Sequence, residues 1–323
     1  MQWIAWLQLD KIIFRSLAAA NDRYEAFSRQ MALERLAKGD NVKVKDVFYF
    51  FQRAKDPETG ATLTEAELIA EASLLILGGE NLWHFDCTSR TDKNKATDTT
   101  ATGISSTIFY LLHNPACWEK LAAEIRPRFQ DVEEIRGGGR LAECQYLRAC
   151  IDEAMRMTPG VGGILPREVL SGGIVVDGIT YPAGVDVGVP IYAMQHDEAY
   201  YPRPFEYVPE RWIVDPDEKA DDGGFRSADA VALARSAFAP FSLGPWSCAG
   251  KGMAYKEMTL VVARLVYLFD IRIVDGTRTG EGDPTKSPAT LRHRPGELQG
   301  KDRFLTKTDG PTVQFKLRDE VRA

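Results

Sequence analysis

Apolar residues recur at three- and four-residue steps over most of the first half of the chain, the spacing that lines one face of an α-helix. Trp3, Trp6, Leu7, Ile13, Phe14 and Leu17 form the first stripe, with Asp10 interrupting it. A second periodic stretch, Asn21–Lys38, closes at Gly39, a residue type that ends helices. Val42–Phe51 is apolar at mixed spacing and fits helix or strand, and Asp56-Pro57-Glu58-Thr59-Gly60 reads as a turn. Thr64 followed three residues later by Glu67 is a capping box, opening an apolar helix through Leu77 that Gly78-Gly79 breaks or bends. The period resumes at Thr97 with Ile104, Ile108 and Leu111 and ends at His113-Asn114-Pro115. Further helices are expected over Trp118–Phe129 and, after Gly137-Gly138-Gly139, over Leu141–Met157.

Beyond Pro159 the texture turns to Gly, Pro and β-branched residues. Gly173–Val176 and Val185–Val189 read as short strands around a turn at Tyr181-Pro182-Ala183-Gly184. Pro202–Arg211 is a Pro-rich coil and Asp215–Arg226 an acidic loop. Gly250–Phe269 is a clear helix, and Thr312–Leu317 alternates as a final strand. The pattern predicts a mainly α protein with a small β part, as a single domain over 1–323.

Composition narrows the classes. In 323 residues, 40 Lys+Arg against 46 Asp+Glu leave a net charge of −6, with no basic surplus to neutralise phosphates, so no nucleic-acid partner is expected. No run of 18 uncharged apolar residues occurs, which argues against a membrane-spanning helix. The opening residues lack a small-residue cleavage site and carry Asp10 and Lys11 at their centre, unlike a signal peptide. Five cysteines, odd in number and without CxxC spacing, fit a reducing, intracellular compartment better than a disulfide framework or a zinc site.

The strongest chemical signal is Phe241-Ser242-Leu243-Gly244-Pro245-Trp246-Ser247-Cys248-Ala249-Gly250, followed at once by a long helix. A thiolate at a helix N-terminus is stabilised by free amide N–H groups and the helix dipole. Gly244 and Gly250 let the backbone approach something flat and bulky, and Phe241 shields a soft sulfur. A lone Cys-x-Gly is more often a buried thiol in a turn; the ten-residue pattern reverses that. It describes an axial thiolate ligand for haem iron. Phe241-x-x-Gly244-x-x-x-Cys248-x-Gly250 resembles the haem-binding signature of the cytochrome P-450 monooxygenases, in wording similar to fungal members. Most members have Arg or His where Trp246 stands; Trp offers a propionate only one neutral N–H.

Two further motifs carry the resemblance. Glu153-Ala154-Met155-Arg156 sets a carboxylate and a guanidinium at i and i+3 on one helix face, by itself usually a surface ion pair. In the family this pair is buried and clamps a third arginine from a Pro-x-Arg-aromatic segment, present as Pro209-Glu210-Arg211-Trp212. The resemblance thus makes Glu153, Arg156 and Arg211 a structural triad behind the thiolate loop. Arg167 in Pro166-Arg167 matches a position that reaches a haem propionate.

The oxygen-activation motif is interrupted. The family's central helix carries a small residue, Gly, any residue, acid, Thr, Thr across the distal haem face. Here Gly78-Gly79 is separated from Thr97-Asp98-Thr99-Thr100 by Glu80–Ala96, a charged segment with no helical stripe. Removing it yields a close match, and by resemblance Asp98 and Thr99 become the proton-delivery pair. Seventeen residues at about 3.6 per turn would leave the flanking halves roughly 100° out of register on one continuous helix. The segment is expected to be an insertion or a retained intron.

The resemblance implies a cytochrome P-450 fold lacking its N-terminal third, including the anchor helix, the β-rich segment and the Trp-x-x-x-Arg helix. It implies haem b as cofactor, Cys248 as its iron ligand, and oxidation of a small apolar organic substrate with O2, in the manner of fungal secondary metabolism. Electrons would come from an NADPH-cytochrome P-450 reductase at the face of the endoplasmic reticulum, with no anchor in this chain. The alternatives are an inactive truncated or mispredicted fragment, and a helical interaction protein without haem. The Trp3, Trp6, Leu7, Phe14 stripe fits a packed core helix or a membrane interface.

Overall fold

The computed structural model describes residues 15–39, 42, 45–55, 60–79, 98–217, 224–290 and 292–319. The chain forms two compact units, Met1–Thr97 and Asp98–Ala323. The first apolar stripe before Arg15, the 56–59 part of the expected turn and the segment 80–97 lie outside the described residues.

In the first unit, α1 (Arg15–Ala37) and α3 (Glu65–Gly79) pack together with the short α2 (Val47–Phe51). The ambiguous apolar stretch is therefore helix over its last five residues. Asp46 caps α2 by accepting from the Tyr49 amide (2.8 Å), and it also takes two bonds from Arg35, at 2.8 and 2.9 Å. The capping box forms as expected: Thr64 donates its amide to Glu67 (2.7 Å), and the Glu67 amide donates to the Thr64 hydroxyl (3.3 Å). Ala32, Phe48, Leu68 and Ala72 make the core.

The second unit is built on four helices: α4 (Asp98–His113), α5 (Pro115–Ile125), α7 (Gln145–Met157) and α10 (Lys251–Leu268). A single turn, α6 (Gly139–Ala142), precedes α7. Phe109, Leu121, Ile125, Leu147, Ile151 and Val262 are fully buried where these helices meet. Gly103 sets how closely α4 and α10 approach, since a Cβ there would stand 2.5 Å from the Met258 sulfur.

The β part consists of antiparallel pairs. β1 (Arg167–Glu168) pairs with β4 (Asp186–Val187), and β2 (Ile174–Val176) with β3 (Ile179–Tyr181). The turn expected at 181–184 is present at Ala183-Gly184, and a second one, at Asp177-Gly178 with φ +49° and +77°, joins β2 to β3. Asp-Gly matches the twist of a two-residue hairpin, so β2 and β3 are joined there, and the turn at Ala183-Gly184 leads on to β4. After α8 (Ile191–Gln195) and α9 (Ala228–Ser236), β5 (Phe269–Ile273) pairs with β8 (Val313–Leu317), and β6 (Gly300–Arg303) with β7 (Leu305–Thr308). The acidic loop is closed at its base by the Arg226–Asp215 ion pair (2.6 Å). Among the described residues no helix is long and apolar enough to cross a membrane.

Candidate functional site

Glu153 lies on α7, the most amphipathic helical stretch of the second unit, whose inner face is wholly buried. Its Oε1 accepts from Arg156 Nη2, Arg211 Nε (both 2.9 Å) and the Val208 amide (3.0 Å). Its Oε2 accepts from Arg156 Nε (2.9 Å) and Trp212 Nε1 (3.0 Å). Arg156 spends its remaining donors on backbone carbonyls of Gln195 (2.9 Å), Pro204 (2.7 Å) and Glu206 (3.1 Å). Arg211 donates also to Pro202 O (3.2 Å), while its Nη2 is buried without a partner.

A buried ion pair survives only when its lone pairs and protons are met, and here nearly all are. Burial alone would raise the Glu153 carboxyl, but the charges of Arg156 and Arg211 outweigh it and hold the group below its ordinary value. Burial lowers Arg211, the neighbouring Arg156 charge adds to this, and Glu153 opposes it. Behind the cluster, burial and next the Arg156 charge hold the His196 imidazole at about 3. His196 stacks on Tyr192 at 4.0 Å between ring centroids.

The 241–250 segment contrasts with this. Its backbone closes on itself: the Ser242 amide donates to Ala239 O (3.0 Å), the Ser247 amide to Gly244 O (3.1 Å), and the Cys248 amide to Phe241 O (2.8 Å). Gly244 has φ +72°, a left-handed conformation that a side chain would strain. Cys248 is exposed, and Gly250 opens onto α10. Leu243 and Trp246 of the same loop are 61% and 75% exposed. The Trp246 indole is thus on the loop surface, and Phe241 is half-buried against Tyr255 (5.1 Å between rings).

A second polar link joins α7 to α10. Tyr255 Oη donates to Asp152 Oδ1 (2.7 Å), Arg148 Nε donates to both carboxylate oxygens (3.0 and 2.9 Å), and the Arg148 guanidinium lies 3.5 Å from the Tyr255 ring centre. Burial raises the Asp152 carboxyl, against the opposing Arg148 charge. None of these residues, nor Trp212 or Val208, was expected from the sequence as a partner.

The remaining candidates lie elsewhere. Arg167 is exposed on β1 and donates to the neighbouring Pro166 O (2.9 Å). Thr99 is exposed near the start of α4, against the segment that follows α7: a Cβ on Gly160 would be 3.1 Å from the Thr99 Cβ. Asp98 is the first residue of α4. That segment is pinned to β7 by Thr306, whose amide donates to Gly160 O (2.8 Å) and hydroxyl to Pro159 O (2.7 Å). A cavity of about 270 Å³ lies alongside, lined by Met157, Pro159, Tyr192, Glu297 and Thr306 among others.

A model of the cytochrome P450 family matches residues 94–299, well over half of the chain. The chain belongs to the cytochrome P450 family. It is 37% identical to cytochrome P450 monooxygenase AKT7 of Alternaria alternata, over 96% of this chain and 55% of that protein. Against cytochrome P450 monooxygenase apf8 of Gibberella fujikuroi the identity is 36%, over 97% of this chain and 77% of the relative. Cytochrome P450 monooxygenase lcsN of Purpureocillium lilacinum is 36% identical, over 96% and 82%. The P450 chain therefore spans 55% of the first of these relatives and a larger part of the others. The mainly α architecture with small sheets is consistent with the family, and the relatives named are fungal, as the resemblance implied.

The P450 residues present fit a flat iron porphyrin. A thiol stands exposed on a loop closed by backbone bonds, and a Cβ on Gly250 would come to 3.6 Å from its sulfur. Leu243 and Trp246 of the same loop offer apolar surface. Among the described residues no cluster of His, Cys, Asp and Glu competes as a metal centre.

Proposed function

We propose that this chain carries the haem-binding part of a monooxygenase, as one P450 domain over 1–323, in which the Cys248 thiolate would hold the iron of haem b. The observation that carries this reading is the exposed Cys248 thiol at the start of α10, on a loop whose Cys248 amide is tied to Phe241 O at 2.8 Å. The chemistry that haem would supply there is oxygen activation, by which one atom of O2 would enter an organic substrate and the other would leave as water.

This chain's own residues hold and orient. Phe241 shields the sulfur, Gly244 and Gly250 keep side chains out of the approach, and Trp246 donates one neutral N–H to a propionate. Arg167, exposed and with donors to spare, provides the charge-assisted contact. Glu153, Arg156 and Arg211 lock the backbone behind the loop and move no proton. Asp98 and Thr99 deliver protons from the start of α4. The substrate is a small apolar molecule of fungal secondary metabolism, and electrons come from an NADPH-dependent reductase at the endoplasmic reticulum face.

The test is the spectrum of the haem-loaded, reduced protein under CO. A thiolate-type band that Cys248→Ser abolishes supports the reading; a band that survives Cys248→Ser refutes it. One observation favours a second reading, haem binding without oxygen activation: Glu80–Ala96 separates Gly78-Gly79 from Asp98-Thr99-Thr100 in the sequence. Product formed per haem in a single turnover separates the two.

A further inference from the structure

We infer that Gln195 is a positioning residue that ties the Glu153–Arg156–Arg211 cluster to the thiolate loop and so fixes how Cys248 is presented; its consequence for haem rests on the proposed function. Gln195 is the last residue of α8 and fully buried. Its Nε2 donates to Met155 O (3.1 Å) and Arg156 O (2.9 Å), carbonyls in the last turn of α7, where intrahelical donors run out. Its Oε1 accepts from the Ala239 amide (3.2 Å). Its backbone carbonyl accepts from Arg156 Nη1 (2.9 Å), so the residue is held at both ends.

From Ala239 the connection continues through backbone alone. Ala239 O accepts from the Ser242 amide (3.0 Å), and Phe241 O from the Cys248 amide (2.8 Å). One primary amide thus meets two orphan carbonyls with its two protons and the first amide of the loop with its oxygen. Leu fills the same space with no donor or acceptor. Glu keeps the acceptor oxygen and loses the amide protons.

The experiment is hydrogen exchange on the haem-free chain. In Gln195→Leu the Ala239, Ser242 and Cys248 amides exchange about tenfold faster, the cost of stranding a buried partner. The Val208 amide, held by Glu153 Oε1 at 3.0 Å, does not change. Uniform acceleration that includes Val208, or no acceleration at all, overturns the inference. Gln195→Glu, which sets an oxygen against the Met155 and Arg156 carbonyls and so cuts the link on the cluster side, accelerates the same three amides about tenfold and leaves Val208 unchanged. Should the Leu variant not fold, the Glu variant decides: unaccelerated loop amides, or acceleration that includes Val208, overturn the inference. Loaded with haem and reduced under CO, Gln195→Leu shifts absorbance from the thiolate-type band to the misligated one. Persistence of the thiolate band in Cys248→Ser would instead refute the haem reading and leave the exchange result standing.

Discussion

Glu153 accepts five hydrogen bonds where no solvent reaches it, whereas Cys248, on the same unit, is exposed on a loop closed by backbone bonds. The two regions divide the work. In the cluster every charge is committed to a neighbour, and the Glu153 carboxyl is held below its ordinary value, so it is no proton donor near neutrality. On the loop the thiol proposed as the haem ligand is exposed, as are the apolar Leu243 and Trp246 of the same loop. Buried charge is concentrated in the first region, and the exposed thiol stands in the second. Gln195 and the Asp152–Tyr255 bond are where the first region reaches the second.

The sharpest way to break this contrast is Glu153→Ala. It strands two buried guanidinium groups and costs about 3–5 kcal/mol, read by denaturant unfolding, and loss of the folded chain fits the same expectation. A smaller cost would mean that buried charge is not what sets the cluster apart.

Acid comes next. His196 is held at about 3 when folded against an ordinary 6.5 when unfolded, so the unfolded chain takes up a proton that the folded chain refuses between those values. Stability from neutral His196 is fully present above pH 6.5 and falls as pH drops toward 3, by at most about 1.4 kcal/mol per pH unit. Unfolding midpoints measured from pH 7 to 4 show this slope, and His196→Phe flattens it.

Tyr207→Phe is milder. It removes the buried bond to Cys150 O (2.8 Å) and costs about 0.5–1.5 kcal/mol, since the carbonyl keeps its place in the α7 ladder and the ring still stacks on Tyr110. Thermal unfolding followed by circular dichroism measures it.

Cys248→Ser stands at the other end. Stability changes by less than about 0.5 kcal/mol because the side chain is exposed, yet thiolate ligation is lost entirely. If this substitution destabilised the fold as much as Tyr207→Phe, the division between a buried cluster and an exposed loop would fail.

Much of this was legible beforehand. The capping box at Thr64 and Glu67, the helix after Gly250 and the pairing of a carboxylate with a guanidinium at 153 and 156 are local relations. The residue pattern marks the turn that ends at Gly184 but not the tighter one at Asp177-Gly178, whose two left-handed conformations suit a two-residue hairpin. β5, β6 and β7 were missed because short strands are defined by their partners, and those partners are distant or equally brief.

By itself, the sequence determined the helical character, the thiol motif and the identity of the charged groups, because helix periodicity and loop chemistry depend on neighbours a few residues apart. Only the tertiary structure decided that Trp212, Val208 and Gln195 complete the cluster. Arg156 ends on the carbonyls of Gln195, Pro204 and Glu206, and Gln195 on those of Met155 and Arg156. Every residue carries a backbone carbonyl, so no pattern of residue types marks which one a buried donor will find; folding chooses it by bringing distant backbone together.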